Sequence, residues 1–166
     1  MNKNSLTYYF KKNNCDKFIH EYSKIYEKYL SKKKNNQLNI FEIGVADGTS
    51  IKSWSSYFTR SKIVGIDIKK INLKKKGLFK KNIDIFRGSQ TDEKFINSIV
   101  KKYKNFDVII DDGSHYPNDV MKTFDLMFPS LKLNGLYFIE DTQTSYNHFF
   151  KGNPFDLKYS NTHMNY

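Results

Sequence analysis

Residues 38–50 read LNIFEIGVADGTS, an apolar run that passes through a loop with two glycines into the start of a helical pattern. A continuous apolar run of this length is typical of a strand that is buried on both faces of a parallel sheet. After the loop, apolar residues recur at helical spacing, at Ile51, Trp54, Tyr57 and Phe58. The stretch therefore predicts a buried strand, a tight turn and a helix that packs against the sheet.

The same alternation continues along the chain. Apolar strand patterns occupy 38–43, 62–68, 83–86, 106–110 and 136–139, and a turn is predicted at Asn134-Gly135 before the last of them. Helical patterns occupy 50–58, 92–103, where Thr91 is the expected N-cap, and the segment after Pro117. Continuously apolar strands that alternate with helices indicate an α/β fold. We therefore predict a Rossmann-like, doubly wound parallel sheet of about five strands with flanking helices.

Upstream of the sheet, residues 18–30 carry apolar side chains at helical spacing, with Asp16 near the expected cap. This pattern predicts an N-terminal amphipathic helix. A chain of 166 residues can bury one substantial core but is short for two domains. We expect a single domain over 1–166, with a helical lead-in at 1–37, a Rossmann-like core at 38–146 and an irregular tail at 147–166.

The chain is strongly basic, with 28 Lys and Arg residues against 17 Asp and Glu and a formal net charge of +11. Such a charge raises the hypothesis of a nucleic-acid partner. However, 26 of the 28 basic residues are lysine, whereas proteins that read bases favour the planar fork of arginine. Lysine is abundant together with asparagine, which indicates a compositional bias of the coding sequence and disfavours a nucleic-acid function.

The composition also bears on the cellular compartment. No run reaches the ~18 uncharged apolar residues that a membrane-spanning helix needs, and residues 1–5 lead into no apolar segment. The single cysteine, Cys15, excludes an intrachain disulfide framework. Aromatic residues make up 16% of the chain and supply apolar surface for a packed core. We therefore expect a folded cytoplasmic protein without a membrane span.

Acidic residues stand at the ends of four of the five predicted strands, at Glu42, Asp67, Asp111-Asp112 and Glu140-Asp141. Open α/β sheets bind their ligands at the carboxyl ends of the strands. Carboxylates that are packed together without a counter-charge repel and raise one another's pKa values. A metal ion or a cationic ligand removes that difficulty, so we predict such a ligand at this edge of the sheet.

The glycine loop narrows the class of ligand. Gly44 and Gly48 allow close approach of the backbone, but the pattern differs from the Gly-x-Gly-x-x-Gly of dinucleotide-binding proteins. Glu42 at the head of the loop would oppose a pyrophosphate and suits an ammonium or sulfonium group. Asp67, at the end of the second strand, is positioned to accept hydrogen bonds from a ribose diol. Together these residues favour S-adenosylmethionine over a nicotinamide dinucleotide.

Four segments carry a family resemblance: FEIGVADGTS at 41–50, GSQTD at 88–92, FDVIIDDGSH at 106–115 and GLYFIEDT at 135–142. Over residues 15–146 the chain resembles class I S-adenosylmethionine-dependent methyltransferases. More narrowly, it is similar to the metal-dependent macrolide sugar O-methyltransferases of the mycinamicin and demethylmacrocin group. The Asp-Asp-Gly-Ser-His element, with a later Glu-Asp at a strand end, is the specific part of this resemblance.

The resemblance implies a cofactor site beside a metal site. The implied ligands of a divalent cation, Mg²⁺, are Asp112, Glu140 and Asp141, whose oxygens suit that hard ion. His115 is the implied general base. The residues expected around S-adenosyl-L-methionine are Glu42, Gly44, Gly48, Ser50, Asp67, Ser89, Gln90 and Asp111. The implied reaction is methyl transfer to a sugar hydroxyl, with a small molecule or a glycan as the acceptor.

One departure from the family pattern leaves alternatives open. Class I methyltransferases have seven strands, whereas five are predicted here and residues 149–166 show no strand pair. Either a partner supplies the missing edge, as in a homo-oligomer, or the chain is a shortened form. The first alternative to an enzyme is a catalytically incompetent, methyltransferase-like binding or dimerisation module. The second is a nucleic-acid-binding or RNA-methylating protein, motivated by the net charge.

Overall fold

The computed structural model describes residues 2–72, 77–78 and 80–152, and its centre is a five-stranded parallel sheet. The strands are β1 (Asn39–Ile43), β2 (Lys62–Asp67), β3 (Ile83–Arg87), β4 (Phe106–Asp111) and β5 (Leu131–Ile139). Their order across the sheet is β3-β2-β1-β4-β5, so the direction of winding changes between the neighbouring strands β1 and β4. The predicted doubly wound, Rossmann-like α/β fold is confirmed.

Three helices connect the strands: α4 (Thr49–Tyr57), α5 (Glu93–Tyr103) and α6 (Pro117–Met127). The prediction of Thr91 as the N-cap of α5 is wrong. The cap is Asp92, whose side chain accepts a hydrogen bond from the backbone amide of Phe95 at 3.1 Å. A carboxylate at this position also interacts favourably with the positive end of the helix dipole.

The N-terminal segment forms three short helices, α1 (Leu6–Lys12), α2 (Asp16–Ile19) and α3 (Tyr22–Leu30). The predicted amphipathic helix is present as α3 but begins only at Tyr22, because Glu21 has a left-handed backbone with a φ of 60°. Lys17 of α2 and Tyr26 of α3 both hydrogen-bond to Glu140. In an unbroken helix these two positions would lie on opposite faces, so the break lets both reach one carboxylate.

The turn predicted at Asn134-Gly135 lies inside β5 as an irregularity. Phe106 pairs with Leu131, but Val108 already pairs with Leu136, so β5 carries extra residues over this interval. Asn134 has a positive φ of 64°, as a turn residue would. The turn residues therefore bend the strand without ending it.

Hydrophobic side chains cover both faces of the sheet. On one face the ring of Trp54 packs 4.8 Å from Phe10 and 4.9 Å from Tyr26, measured between ring centroids. On the other face the rings of Phe41 and Phe106 lie 5.0 Å apart. Because both faces are covered by apolar side chains, a polar ligand site can form at the carboxyl ends of the strands.

Two predictions concern the ends and the exterior of the chain. The irregular tail expected at 147–166 is described only as far as Gly152 and includes the short 3₁₀ helix His148–Phe150. Residues 153–166 lie outside the described residues. The irregular tail at 147–166 and the single domain over 1–166 therefore stay predictions. Within the described part of the chain, no helix combines the length and apolar character required to cross a lipid bilayer.

Candidate active site

A cavity of about 470 Å³ opens at the carboxyl ends of β1, β2 and β4. Its volume falls within the range of about 300–1,000 Å³ that is typical of small-molecule sites. It lies where the winding of the sheet changes direction, which is the usual ligand site of open α/β sheets. The cavity wall includes seven of the twelve predicted site residues: Gly44, Asp67, Ser89, Gln90, Asp112, His115 and Asp141.

The other five predicted site residues are buried behind this wall: Glu42, Gly48, Ser50, Asp111 and Glu140. Glu42 is fully buried and accepts a hydrogen bond from Ser50 Oγ at 2.8 Å. Burial raises the pKa of the Glu42 carboxyl to about 7. These five residues support the wall, and the three acidic ones contribute to its charge, whereas the seven above can touch a ligand in the cavity.

Two glycines of the loop between β1 and α4 have a left-handed backbone, with φ of +84° at Gly44 and +86° at Gly48. A Cβ at Gly44 would lie 1.9 Å from the carbonyl oxygen of Asp112. A Cβ at Gly48 would lie 2.3 Å from Cδ1 of Leu78. At Gly44 the loop after β1 is therefore packed onto the loop after β4, and only glycine fits at that contact.

Asp67, at the end of β2, fixes the glycine loop from the side. Its Oδ2 accepts a hydrogen bond from the backbone amide of Ala46 at 2.7 Å, and its Oδ1 accepts one from the amide of Lys69 at 2.7 Å. Ala46 has a φ of 48°, which is uncommon for a residue other than glycine. Each carboxylate oxygen has a second lone pair, so Asp67 can still accept hydrogen bonds from a diol in the cavity.

Gln90 connects the loop after β4 to α6. Its Oε1 accepts a hydrogen bond from the amide of Ser114 at 2.8 Å, and its Nε2 donates to Thr123 Oγ1 at 2.9 Å. Behind it, Asp111 is 1% exposed, and its Oδ2 has no hydrogen-bond partner among the described residues. Burial raises the pKa of Asp111 to about 7. Asp111 thus supports the wall from inside the protein, away from the cavity surface.

Three potential metal-ligating groups come together in the wall of the same cavity. Nε2 of His115 lies 3.7 Å from Asp112 Oδ1 and 3.6 Å from Asp141 Oδ2. One ligand atom from each of the three residues lies within 4.8 Å of the other two. His115 and Asp141 both have a positive φ, of 59° and 53°, and such backbone strain clusters at functional sites.

The structure adds Lys17, which the sequence patterns did not indicate. Its side chain is 1% exposed, and its Nζ contacts the carboxylates of three residues: Glu42, Asp112 and Glu140. Burial alone would lower the pKa of Lys17, but the negative charges of these carboxylates outweigh it and raise the pKa above its usual value. The ammonium group is therefore charged and partly neutralises the strand ends.

Two tyrosines of α3 reach the same acidic groups. The hydroxyl of Tyr22 donates to Asp141 Oδ1 at 2.8 Å, and the hydroxyl of Tyr26 donates to Glu140 Oε1. Their helical spacing had placed both in the apolar face of the predicted N-terminal helix. The hydrogen bonds of these tyrosines could not be predicted from the helical pattern, because their carboxylate partners are far away in the sequence.

The charges of this cluster fit a metal ion. The Lys17 ammonium contacts three carboxylates, on Glu42, Asp112 and Glu140, and the carboxylate of Asp141 lies beside Asp112, so negative charge remains in excess. Burial raises the pKa of Glu140 and of Asp112, which indicates that their ionised forms are incompletely compensated. Carboxylate oxygens at this spacing are the donors that Mg²⁺ prefers. Asp112 and Asp141 offer oxygens to the cavity, whereas Glu140 Oε1 is held by Lys17 and Tyr26.

Comparison with known proteins places this geometry in context. No protein-family model matches the chain. It is similar to mycinamicin VI 2''-O-methyltransferase of Micromonospora griseorubida, with 35% identity over 136 residues that cover 78% of this chain and 33% of that protein. It is also similar to demethylmacrocin O-methyltransferase of Streptomyces fradiae, with 30% identity over 135 residues that cover 77% of this chain and 33% of that protein.

Solved structures agree with the sequence comparison. MycE methyltransferase from the mycinamycin biosynthetic pathway, in complex with Mg, SAH and mycinamycin VI, superposes with a TM-score of 0.88 at 31% identity and covers 97% of this chain and 45% of that chain. The present chain spans about a third of the length of the curated relatives it matches. By fold and by sequence, it is a relative of the class I S-adenosylmethionine-dependent methyltransferases and resembles, within that family, the mycinamicin and demethylmacrocin O-methyltransferases.

Proposed function

We propose that the chain is an O-methyltransferase that uses S-adenosylmethionine and Mg²⁺ to methylate a sugar hydroxyl of a glycan or a glycosylated natural product. The observation that carries this proposal is the single cavity in which Gly44 and Asp67 share a wall with Asp112, His115 and Asp141. Direct transfer of a methyl group requires the donor and the acceptor to be held together in one such space. The reaction class of the named relatives supports the same conclusion.

The proposed donor side of the cavity comprises Gly44, Asp67, Ser89 and Gln90. S-adenosylmethionine, when bound, supplies an electrophilic methyl group on a sulfonium. Asp67 accepts hydrogen bonds from the ribose hydroxyls in this proposal. Glu42 lies one layer behind, and its negative charge favours a cationic ligand across a region of low dielectric.

The proposed acceptor side comprises Asp112, Asp141 and His115, with Glu140 behind them. A sugar hydroxyl is a poor nucleophile because it is scarcely ionised near neutral pH. Asp112, Glu140 and Asp141 are the proposed ligands of Mg²⁺, which acts as a Lewis acid on the acceptor oxygen when bound. His115 takes the hydroxyl proton on Nε2, an atom that lies 3.6 Å from Asp141 Oδ2.

Binding and turnover test the proposal separately. Titration calorimetry with S-adenosylhomocysteine, in Mg²⁺ and in EDTA, measures the donor site, and mass spectrometry of glycosylated acceptors incubated with S-adenosylmethionine measures methyl transfer. We expect both binding and a methylated sugar. Binding without product on any acceptor would contradict the enzymatic proposal and favour a binding module. Affinity for RNA that falls steeply with salt would favour the nucleic-acid alternative.

The variant Asp67→Asn is expected to weaken the affinity for S-adenosylhomocysteine by on the order of tenfold to a hundredfold. Asparagine has one acceptor oxygen, so it cannot accept from the amides of both Ala46 and Lys69 and also serve the ribose. The measurement is titration calorimetry at fixed ionic strength.

Asp47→Asn is the matched control for this prediction. It removes the same charge from the same region, but Asp47 is exposed and its Oδ1 accepts from the amide of Thr49 at 3.0 Å, a hydrogen bond that the side-chain oxygen of asparagine also accepts. The control should bind S-adenosylhomocysteine like the unmodified chain. Equal losses in the two variants would argue against a ribose contact at Asp67.

A further inference from the structure

Lys17 supplies a buried positive charge at the strand ends, where the sequence predicted a metal ion or a cationic ligand. We propose that Lys17 is a resident counter-ion that shares Asp112 and Glu140 with the divalent cation and, by competing for them, sets the affinity of the site for metal. This inference rests on the proposed function, in which Asp112, Glu140 and Asp141 hold Mg²⁺.

The position of the ammonium group supports this competition. Nζ of Lys17 lies 2.6 Å from Glu140 Oε1 and 3.5 Å from Glu42 Oε1, and it hydrogen-bonds to Asp112 Oδ2. An ammonium group has three donors, and three carboxylates surround this one. Glu42 Oε1 has no hydrogen-bond partner among the described residues, and the Lys17 ammonium, 3.5 Å away, is its ion-pair partner.

Asp112 is the group that the two cations share. Its Oδ2 faces Lys17, and its Oδ1 faces Nε2 of His115 at 3.7 Å. A divalent cation that enters from the cavity can reach Asp112 Oδ1 and Asp141, but it meets the charge of Lys17 behind Asp112. It gains Glu140 Oε1 only if it displaces the ammonium from that oxygen, since Lys17 and Tyr26 both occupy it.

Removal of this charge has two opposite consequences. Like charges a few ångströms apart repel strongly in a partly buried site, so the site without Lys17 binds a divalent cation more tightly. Without metal, however, the same site holds buried carboxylates that have lost their partner, and such a loss is destabilising. A lysine with a purely structural role would reduce stability without tightening the binding of metal.

Lys17→Met, which retains an unbranched apolar chain, tests the inference without an activity assay. Calorimetry with Mg²⁺, and electron paramagnetic resonance with Mn²⁺ as a second probe, are expected to show binding tighter by on the order of tenfold to a hundredfold. Thermal unfolding in EDTA is expected at a midpoint lower by about 10 °C, with most of the loss restored by saturating Mg²⁺.

Lys24→Met is the matched control, because Lys24 is exposed and pairs with Glu21 at 2.5 Å on the surface. It should change neither the metal affinity nor the unfolding midpoint appreciably. If Lys17→Met fails to fold, Glu140→Gln is compared with the double variant Lys17→Met/Glu140→Gln, in which one charge of each sign is absent. The double variant is expected to bind Mg²⁺ about tenfold more tightly than Glu140→Gln alone.

The outcomes separate this inference from the function on which it rests. Unchanged Mg²⁺ affinity after removal of Lys17, with clear binding by the unmodified chain, would overturn the competition and leave the proposed metal site intact. If saturating Mg²⁺ does not restore the thermal stability that Lys17→Met loses, the competition is likewise overturned and the proposed metal site stays intact. Absence of Mg²⁺ and Mn²⁺ binding in all variants would overturn the inference together with the proposed metal site, whereas binding of S-adenosylhomocysteine would still test the donor site.

Discussion

Replacement of His115 by asparagine is expected to slow methyl transfer about 10²–10⁴-fold, which is the contribution typical of a general base. Asparagine is chosen because it tolerates the positive φ of 59° at this position, whereas alanine would add backbone strain. It is polar and too weakly basic to accept the hydroxyl proton. The rate constant at saturating donor and acceptor, measured by product formation, is the quantity to compare.

The physical reason lies in where the imidazole is held. Its Nε2 lies 3.7 Å from Asp112 Oδ1 and 3.6 Å from Asp141 Oδ2, so a hydroxyl bound at these carboxylates is close to a proton acceptor. The backbone of His115 is fixed by a hydrogen bond from Thr144 Oγ1 to its carbonyl oxygen at 2.9 Å. Asparagine at 115 can keep this backbone contact, so donor binding and thermal stability should be nearly unchanged.

His148→Asn provides the control, because His148 is exposed and its ring contacts only its neighbour Phe149 among the described aromatic residues. Its rate constant should match that of the unmodified chain. If His115→Asn methylates the acceptor at close to the original rate, with the donor bound normally, another group takes the proton. A parallel loss of S-adenosylhomocysteine affinity would instead indicate that His115 maintains the shape of the cavity.

The fold could be predicted from the sequence because each strand is visible as a short apolar run in the local sequence. Four of the five strand patterns end on acidic residues, and the structure confirms five parallel strands with those ends on one edge. The internal bend of β5 and the break before α3 were missed for a related reason. Glu21 has a positive φ inside the predicted helical pattern, and Asn134 has one in the predicted turn. Tertiary contacts, more than local preference, decide whether such residues end an element or bend it.

The candidate site was predictable only in part. The residues at strand ends and in the glycine loop can be identified because they directly follow predicted strands. Seven of the twelve predicted site residues line one cavity. Lys17 carries no such signal, since it is one of 26 lysines and lies in a segment far from the strands in sequence. Its role depends on the fold, which places α2 next to Glu42 and Glu140. A lysine, which is usually exposed, is thereby buried as a cation between carboxylates.

Gly44→Ala is the second substitution with a large expected effect, because it tests the packing on which both halves of the site depend. A Cβ at this position would lie 1.9 Å from the carbonyl oxygen of Asp112, and the backbone has a φ of +84°. The clash involves backbone and cannot be relieved by a change of rotamer. We expect the free energy of unfolding to fall by about 2–5 kcal/mol, as the sum of left-handed strain and overpacking.

Gly77→Ala separates these two contributions. Gly77 also has a left-handed backbone, with a φ of +67°, but among the described residues the nearest atom to an added Cβ is Lys52 Nζ at 4.0 Å. This variant should lose only the strain, about 1–2 kcal/mol in urea denaturation. Gly44→Ala should in addition weaken Mg²⁺ binding, because relief of the clash displaces Asp112 from Lys17 and His115. Equal losses of stability in the two variants, with Mg²⁺ affinity intact, would show that the loops after β1 and β4 are not held together at this contact.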